Sequence, residues 1–159
     1  MKAPLAMMAL AMASAPAVAA PAQQTAASPF LGLWKLDTGA APAGDAGPAS
    51  VTAEFADAGA GAWNTIYVIT AKDGSARRMT SREQLDGKAV PIAGDRSIYD
   101  SVAMTNPQPG VLVMGLSKGG ALGSVRVYTL SADGREMTES ATMIGDDGKP
   151  TVLHFRWMR

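Results

Sequence analysis

His154 is the only histidine in the chain, and there is no cysteine. One imidazole cannot assemble a multi-histidine zinc site or a two-histidine iron centre. Without cysteine, disulfides, zinc–thiolate sites, iron–sulfur clusters and thiol nucleophiles are all excluded. His154 alone suits one task, axial ligation of a haem inside a small barrel; otherwise it is a half-exposed strand histidine. Asp100, Glu136 and Glu139 lie on strand-like runs, but nothing pairs two of these carboxylates for glycoside chemistry. Asp146-Asp147-Gly148 lacks the spaced acids of a twelve-residue calcium loop and reads as a turn. Ser117-Lys118-Gly119-Gly120 has neither the earlier glycine nor the following helix of a phosphate-binding loop. The residues therefore define no catalytic centre, no metal site and no cofactor. Arg77, Arg78, Arg82 and Arg126 form the one basic grouping that could face a cavity. An inward arginine in an apolar interior would hold a carboxylate-headed ligand such as a fatty acid, whereas an outward one is simply solvated.

Those side chains must be carried by strands. Nine segments have strand composition: 30–36, 49–56, 63–71, 76–85, 96–104, 111–117, 123–131, 135–144 and 151–158. A short extended piece, 88–92, precedes Gly94. Asp-Gly recurs at Asp73-Gly74, Asp86-Gly87, Asp133-Gly134 and Asp147-Gly148, and between strand-like runs this pair signals hairpins with type I′ turns. No window of ten to twelve residues suits an amphipathic helix, because Gly or Pro interrupts it or β-branched residues dominate. The alanine-rich stretch 37–48 is a loop for this reason, since Pro42, Pro48 and three glycines break it. The long loop 37–48 and the segment 105–110 are the two irregular stretches available for contacts. The fold class is all-β, an antiparallel up-and-down barrel of about 8–10 strands, because sequential hairpins leave no crossing connections for a sandwich. Along the last strand Leu153, Phe155 and Trp157 share one face, and His154, Arg156 and Met158 the other.

The chain of 159 residues carries 14 basic and 14 acidic side chains. A neutral balance gives no basis for binding nucleic acid by phosphate neutralisation. Residues 1–19 have Lys2 near the amino terminus, an apolar stretch and small residues ending Ala17-Val18-Ala19, the three-part layout of a signal peptide. Residues 20–29 are an uncharged, aperiodic leader, and 30–159 form one domain. The expected location is periplasmic or secreted. Arginines on both faces of 76–85 are incompatible with a lipid-facing apolar row, so the strands are not read as membrane-spanning.

The run FLGLWKL places Gly32-x-Trp34 on the first strand, and the chain closes on HFRWMR. With DGKAVPIAGD, SKGGALGSVRVYTLSADGREMTESAT and DDGKP, residues 29–159 resemble small exported bacterial lipocalin-like proteins of the calycin superfamily. The resemblance implies that Trp34 seals the barrel base beside Gly32 and that a late arginine, Arg156 or Arg159, covers its ring. It departs from secreted lipocalins in having no disulfide and no C-terminal helix on the barrel. If the barrel encloses a cavity, its lining is expected from Trp63, Tyr67, Arg78, Tyr99, Val113, Arg126 and Tyr128. The expected function is a monomeric barrel binding a small hydrophobic or amphipathic ligand. The alternative is an envelope interaction or inhibitor module with a packed interior.

Overall fold

Alternation of inward and outward positions is plainest along residues 111–118. Leu112, Met114 and Leu116 point inward while the residues between them do not, the period of two that a half-buried strand requires. The computed structural model describes residues 27–40, 47–145 and 147–159. The segment 1–26, holding the expected signal peptide and most of the leader, lies outside the described residues, as does 41–46 of the long loop. Among the described residues the strands are β1 (Gly32–Leu36), β2 (Ser50–Asp57), β3 (Trp63–Thr70), β4 (Ala76–Glu83), β5 (Val90–Pro91), β6 (Ala93–Gly94), β7 (Ser101–Gln108), β8 (Val111–Lys118), β9 (Ala121–Leu130), β10 (Glu136–Ile144) and β11 (Pro150–Met158).

All pairings are antiparallel, in the order β5-β7-β8-β9-β10-β11-β1-β2-β3-β4-β6. The first and last long strands meet at Lys35↔Met158 and Leu36↔Trp157. The remaining gap, between β4 and β7, is bridged by one short stretch. There Met79↔Gly94 and Thr80↔Ala93 pair on the β4 side, and Val90↔Val102 and Pro91↔Ser101 on the β7 side. The result is a nearly closed barrel. The all-β reading holds, with the two short strands sealing a barrel whose long strands match most of the expected ones.

Four local expectations change. The segment 96–104 becomes a strand only from Ser101, because residues 95–100 form a loop anchored by Asp100: its N–H bonds Ser117 O at 2.9 Å and its Oδ2 accepts Gly119 N–H at 2.9 Å. The segment 105–110 was expected to be loop, yet β7 continues to Gln108 through a bulge after Thr105. At Asp73-Gly74, as at Asp133-Gly134 and Asp147-Gly148, only the glycine is left-handed (φ +85° at Gly74), not both residues as a type I′ turn demands. Gly74 N–H bonds Ala71 O at 3.0 Å while Asp73 Oδ1 accepts Ser75 N–H at 2.9 Å. A type I turn closed by a left-handed glycine, stabilised by the aspartate side chain, accounts for this loop. Asp86-Gly87 is not a hairpin at all. It carries the chain across the seam, where Asp86 bridges Thr105 and Gly87 N–H bonds Met104 O at 3.0 Å.

The core fills one end of the barrel. Phe30, Trp34, Phe55 and Trp63 are all buried. Trp63 lies 6.4 Å from Phe30 and 5.9 Å from Phe55 between ring centroids, tilted contacts that add to area burial. Trp34 Nε1 donates to Phe30 O at 2.8 Å, so the indole N–H is satisfied inside the core.

Candidate functional site

Inward positions two apart along β3 run from this packed end toward open space: Trp63, Thr65, Tyr67, Ile69. Facing them across the β3–β4 ladder are Glu83, Ser81, Met79 and Arg77. Beyond the Trp63–Glu83 level the packing loosens into a partly open cavity with about 100 Å³ of free volume. Its wall is almost wholly apolar, with Tyr67, Ile69, Met79, Ile92, Val102 and Met114 contributing, and Thr65, Ser81 and Arg126 supplying the polar atoms. Ile98 and Tyr99 reach it from the loop that follows β6.

Arg126 is the one cation on this wall. On β9 it sits opposite Met114 of β8 and Ala141 of β10, and the small Ala141 leaves room beside the guanidinium. Its Nη1 lies 3.1 Å from Glu139 Oε1, whose other oxygen accepts Trp157 Nε1–H at 2.8 Å. Tyr67 and Tyr128 join hydroxyl to hydroxyl at 2.9 Å beside this pair. Burial pushes the Arg126 pKa down, but the facing Tyr128, Glu139 and Tyr67 more than reverse this, so the guanidinium stays charged. Burial raises the Glu139 carboxyl, and the bonds from Arg126 and Trp157 pull it back only in part. Arg126 Nε is buried and has no hydrogen-bond partner. A donor left unmatched inside a protein is costly and invites an acceptor.

A second acid lies deeper. Glu83 is 1% exposed, and no cation approaches it among the described residues. Thr65 Oγ1 donates to its Oε2 at 2.9 Å, and Ser81 Oγ donates to Oε1. Burial raises its pKa, opposed by the bonds from Ser81 and Thr65.

Of the residues expected to line a cavity, Tyr67, Tyr99 and Arg126 do so. Tyr128 is fully buried behind the wall, and Trp63 belongs to the packed end. Val113 alternates with the inward Leu112 and Met114 and therefore faces outward. Arg78 is exposed for the same reason, next to the inward Met79. Arg77 pairs with Asp95 at 3.7 Å and Arg82 donates to Ala58 O at 3.0 Å, both near the surface. Of the four arginines, only Arg126 meets the cavity. His154 is exposed on the outer face with Nδ1 3.2 Å from Ser140 Oγ, so axial haem ligation inside the barrel has no histidine to use. Asp147-Gly148 is a turn, with Lys149 N–H bonded to Asp147 Oδ1 at 3.1 Å, and Asp146 lies outside the described residues. Thr65, Ser81 and Glu83 were missed by sequence reading. The signal was available: Ser81 and Glu83 share the parity of Met79 on β4, so an acid had to point inward.

Of the two arginines offered as the cover for Trp34, Arg159 takes the role, with Cζ 4.3 Å from the ring centroid. Arg156 is on the outer face and binds Asp37 Oδ2 at 2.6 Å.

No family model matches the chain, and no curated protein matches its sequence. Among solved structures it is similar to the crystal structure of zebrafish ileal bile acid-binding protein complexed with cholic acid. The likeness has 13% sequence identity and a TM-score of 0.50, and covers 83% of this chain and 99% of that one. The chain shares with that structure an antiparallel, nearly closed β-barrel. At this identity the likeness is one of architecture, and the site stands on its own geometry.

Proposed function

We propose that the protein is an exported, periplasmic or secreted barrel that binds a small, mainly apolar, uncharged ligand with one oxygen acceptor set against Arg126. The observation that carries this reading is an apolar cavity with Arg126 in its wall, an arginine whose Nε–H is buried and unpartnered. That the structural neighbour is a bile acid-binding protein complexed with cholic acid supports a small, mainly apolar ligand for this barrel. The signal-like layout of residues 1–19 supports export.

Size and charge narrow the ligand. Binding pockets for drug-sized molecules span roughly 300–1,000 Å³. A dry cavity of about 150 Å³ accepts benzene. The free volume here, about 100 Å³, therefore suits a group of benzene size or less, with any further bulk in the open mouth. Charge argues against the carboxylate head suggested by an inward arginine. Arg126 already faces Glu139, and Glu83 is a second buried acid, so an anionic ligand would add a third carboxyl against one guanidinium. A neutral carbonyl, ether or hydroxyl oxygen meets Nε–H without that conflict.

The test is a ligand-observed NMR titration of wild type and Arg126→Met with small cyclic ketones, phenols and alkylbenzenes. Binding by wild type at millimolar concentration or below, weakened for oxygen-bearing ligands in Arg126→Met, supports the reading. No binding across the panel rejects it. In that case the interaction-module reading takes over, which the packed end of the barrel favours, with Trp34, Trp157, Tyr128 and Phe55 leaving no room there.

A further inference from the structure

Thr65 and Ser81 face each other across the β3–β4 ladder, and both line the cavity. A hydroxyl has one proton to donate and two lone pairs to offer. Thr65 spends its proton on Glu83 Oε2 at 2.9 Å; the Met104 thioether, 3.8 Å away, is the farther and weaker acceptor. Ser81 spends its proton on Glu83 Oε1. What the two hydroxyls can still present to the cavity is lone pairs. Arg126, whose Nε–H is unpartnered, lines the same cavity and brings the opposite polarity to it.

We propose that Thr65 and Ser81, held by Glu83, form a hydrogen-bond-accepting subsite that selects ligands carrying a hydroxyl group, namely small apolar alcohols or phenols. The inference rests on the reading of the cavity as a ligand site. Three features support it. Glu83 is buried without a cation among the described residues, an arrangement that an apolar side chain would improve if stability alone mattered. Its two oxygens take one hydroxyl each, so both protons are turned away from the cavity together. The hydroxyl is also the smallest neutral group that both donates and accepts, and so matches an accepting wall and a donating wall at once. Glu83 is a positioning residue here, since it acts through Thr65 and Ser81.

The experiment compares phenol with toluene, which have the same ring and nearly the same volume, by ligand-observed NMR titration. Wild type is expected to bind phenol about tenfold more tightly than toluene, a modest share of what hydrogen-bonded recognition of a hydroxyl can deliver. In the Thr65→Val/Ser81→Ala double variant, the advantage of phenol over toluene shrinks severalfold, to what its oxygen gains from Arg126, while toluene binding stays within about twofold, which also shows that the barrel has folded. Glu83→Gln gives a second reading that needs neither hydroxyl removed. Its amide NH₂ donates to one of the hydroxyls and turns that proton into the cavity, so the phenol preference shrinks. Equal binding of phenol and toluene by wild type overturns the subsite together with the Arg126 contact, and a preference undiminished in the double variant overturns the subsite alone; in both cases the cavity stands as an apolar ligand site. Failure of both probes to bind wild type overturns the cavity reading and the subsite with it.

Discussion

Arg159 lays its guanidinium over the indole of Trp34, the last residue of the chain closing on the first strand. Its Nη2 donates to Leu31 O at 2.9 Å and also to Pro29 O. The β1–β11 ladder beside it has only two residue pairs, Lys35↔Met158 and Leu36↔Trp157. Closure at this point therefore leans on a side chain. The guanidinium satisfies two carbonyls that the short ladder leaves over while its face rests on the ring.

Replacing Arg159 by Ala should lower stability by about 1–3 kcal/mol, combining a cation–π contribution with lost charge-assisted hydrogen bonds. Arg159→Lys should recover only part, because an ammonium lacks the flat face and the fork that spans two carbonyls. Arg156→Ala is the control. Its pair with Asp37 is exposed to solvent and screened, so a much smaller shift is expected. Urea midpoints decide the matter, and equal losses for Arg159→Ala and Arg156→Ala would contradict the assignment.

Removing one partner of the Arg126–Glu139 pair should be worse than removing both charges. Arg126→Met leaves Glu139 buried and uncompensated and is expected to cost about 3–5 kcal/mol. Adding Glu139→Gln restores neutrality and retains an acceptor for Trp157 Nε1–H, so the double variant should regain much of that loss. A double-mutant cycle by chemical denaturation measures the coupling. Additive effects would show that the pair contributes nothing as a pair.

The outline of this barrel was legible in the sequence because its causes are local. Alternation along 111–117 and 151–158, and glycines at the turns, follow from the period of a strand and from left-handed backbone. The polar interior was harder to read. In β4 the exposed Arg77, Arg78 and Arg82 surround Ser81 and Glu83 and hide the inward row, while Tyr99 belongs to a loop whose position depends on Asp100 reaching Gly119. The short stretch 90–94 carries almost no periodicity. Its place in the seam follows from pairing to strands on both sides, a tertiary fact with no local signature.

Gly94 makes that seam feasible. Its φ is +87°, and a Cβ there would collide with the Arg78 carbonyl oxygen of the neighbouring strand. Gly94→Ala therefore combines left-handed strain, typically about 1–3 kcal/mol for a residue with a side chain, with a backbone clash. The expected result is detachment of β6 from β4. Amides of Val90, Ile92, Ala93 and Gly94 and of Met79 and Thr80 should exchange faster in hydrogen exchange, with β8–β10 unaffected. Unchanged protection at the seam would refute this account of closure.

Stability should fall with rising pH through Glu83. Burial holds its carboxyl above the ordinary value of 4.5, so the folded state keeps a proton that the unfolded chain has lost. With more protons bound in the native state, the slope of unfolding free energy against pH is negative. The favourable contribution is complete below 4.5 and is lost as pH climbs through the folded pKa. Turn aspartates such as Asp73, held low by the Ser75 side chain and backbone, act oppositely: their contribution is present above 3.8 and lost as pH falls. The difference between wild type and Glu83→Gln removes that background. Gln cannot ionise, so wild type should lose ground to the variant as pH rises from 4.5 through the folded pKa of Glu83, and the gap should then level off. Urea midpoints for both proteins across this range provide the measurement. A gap that stays constant, or that narrows as pH rises, would mean that the buried Glu83 carboxyl is not raised in the folded barrel.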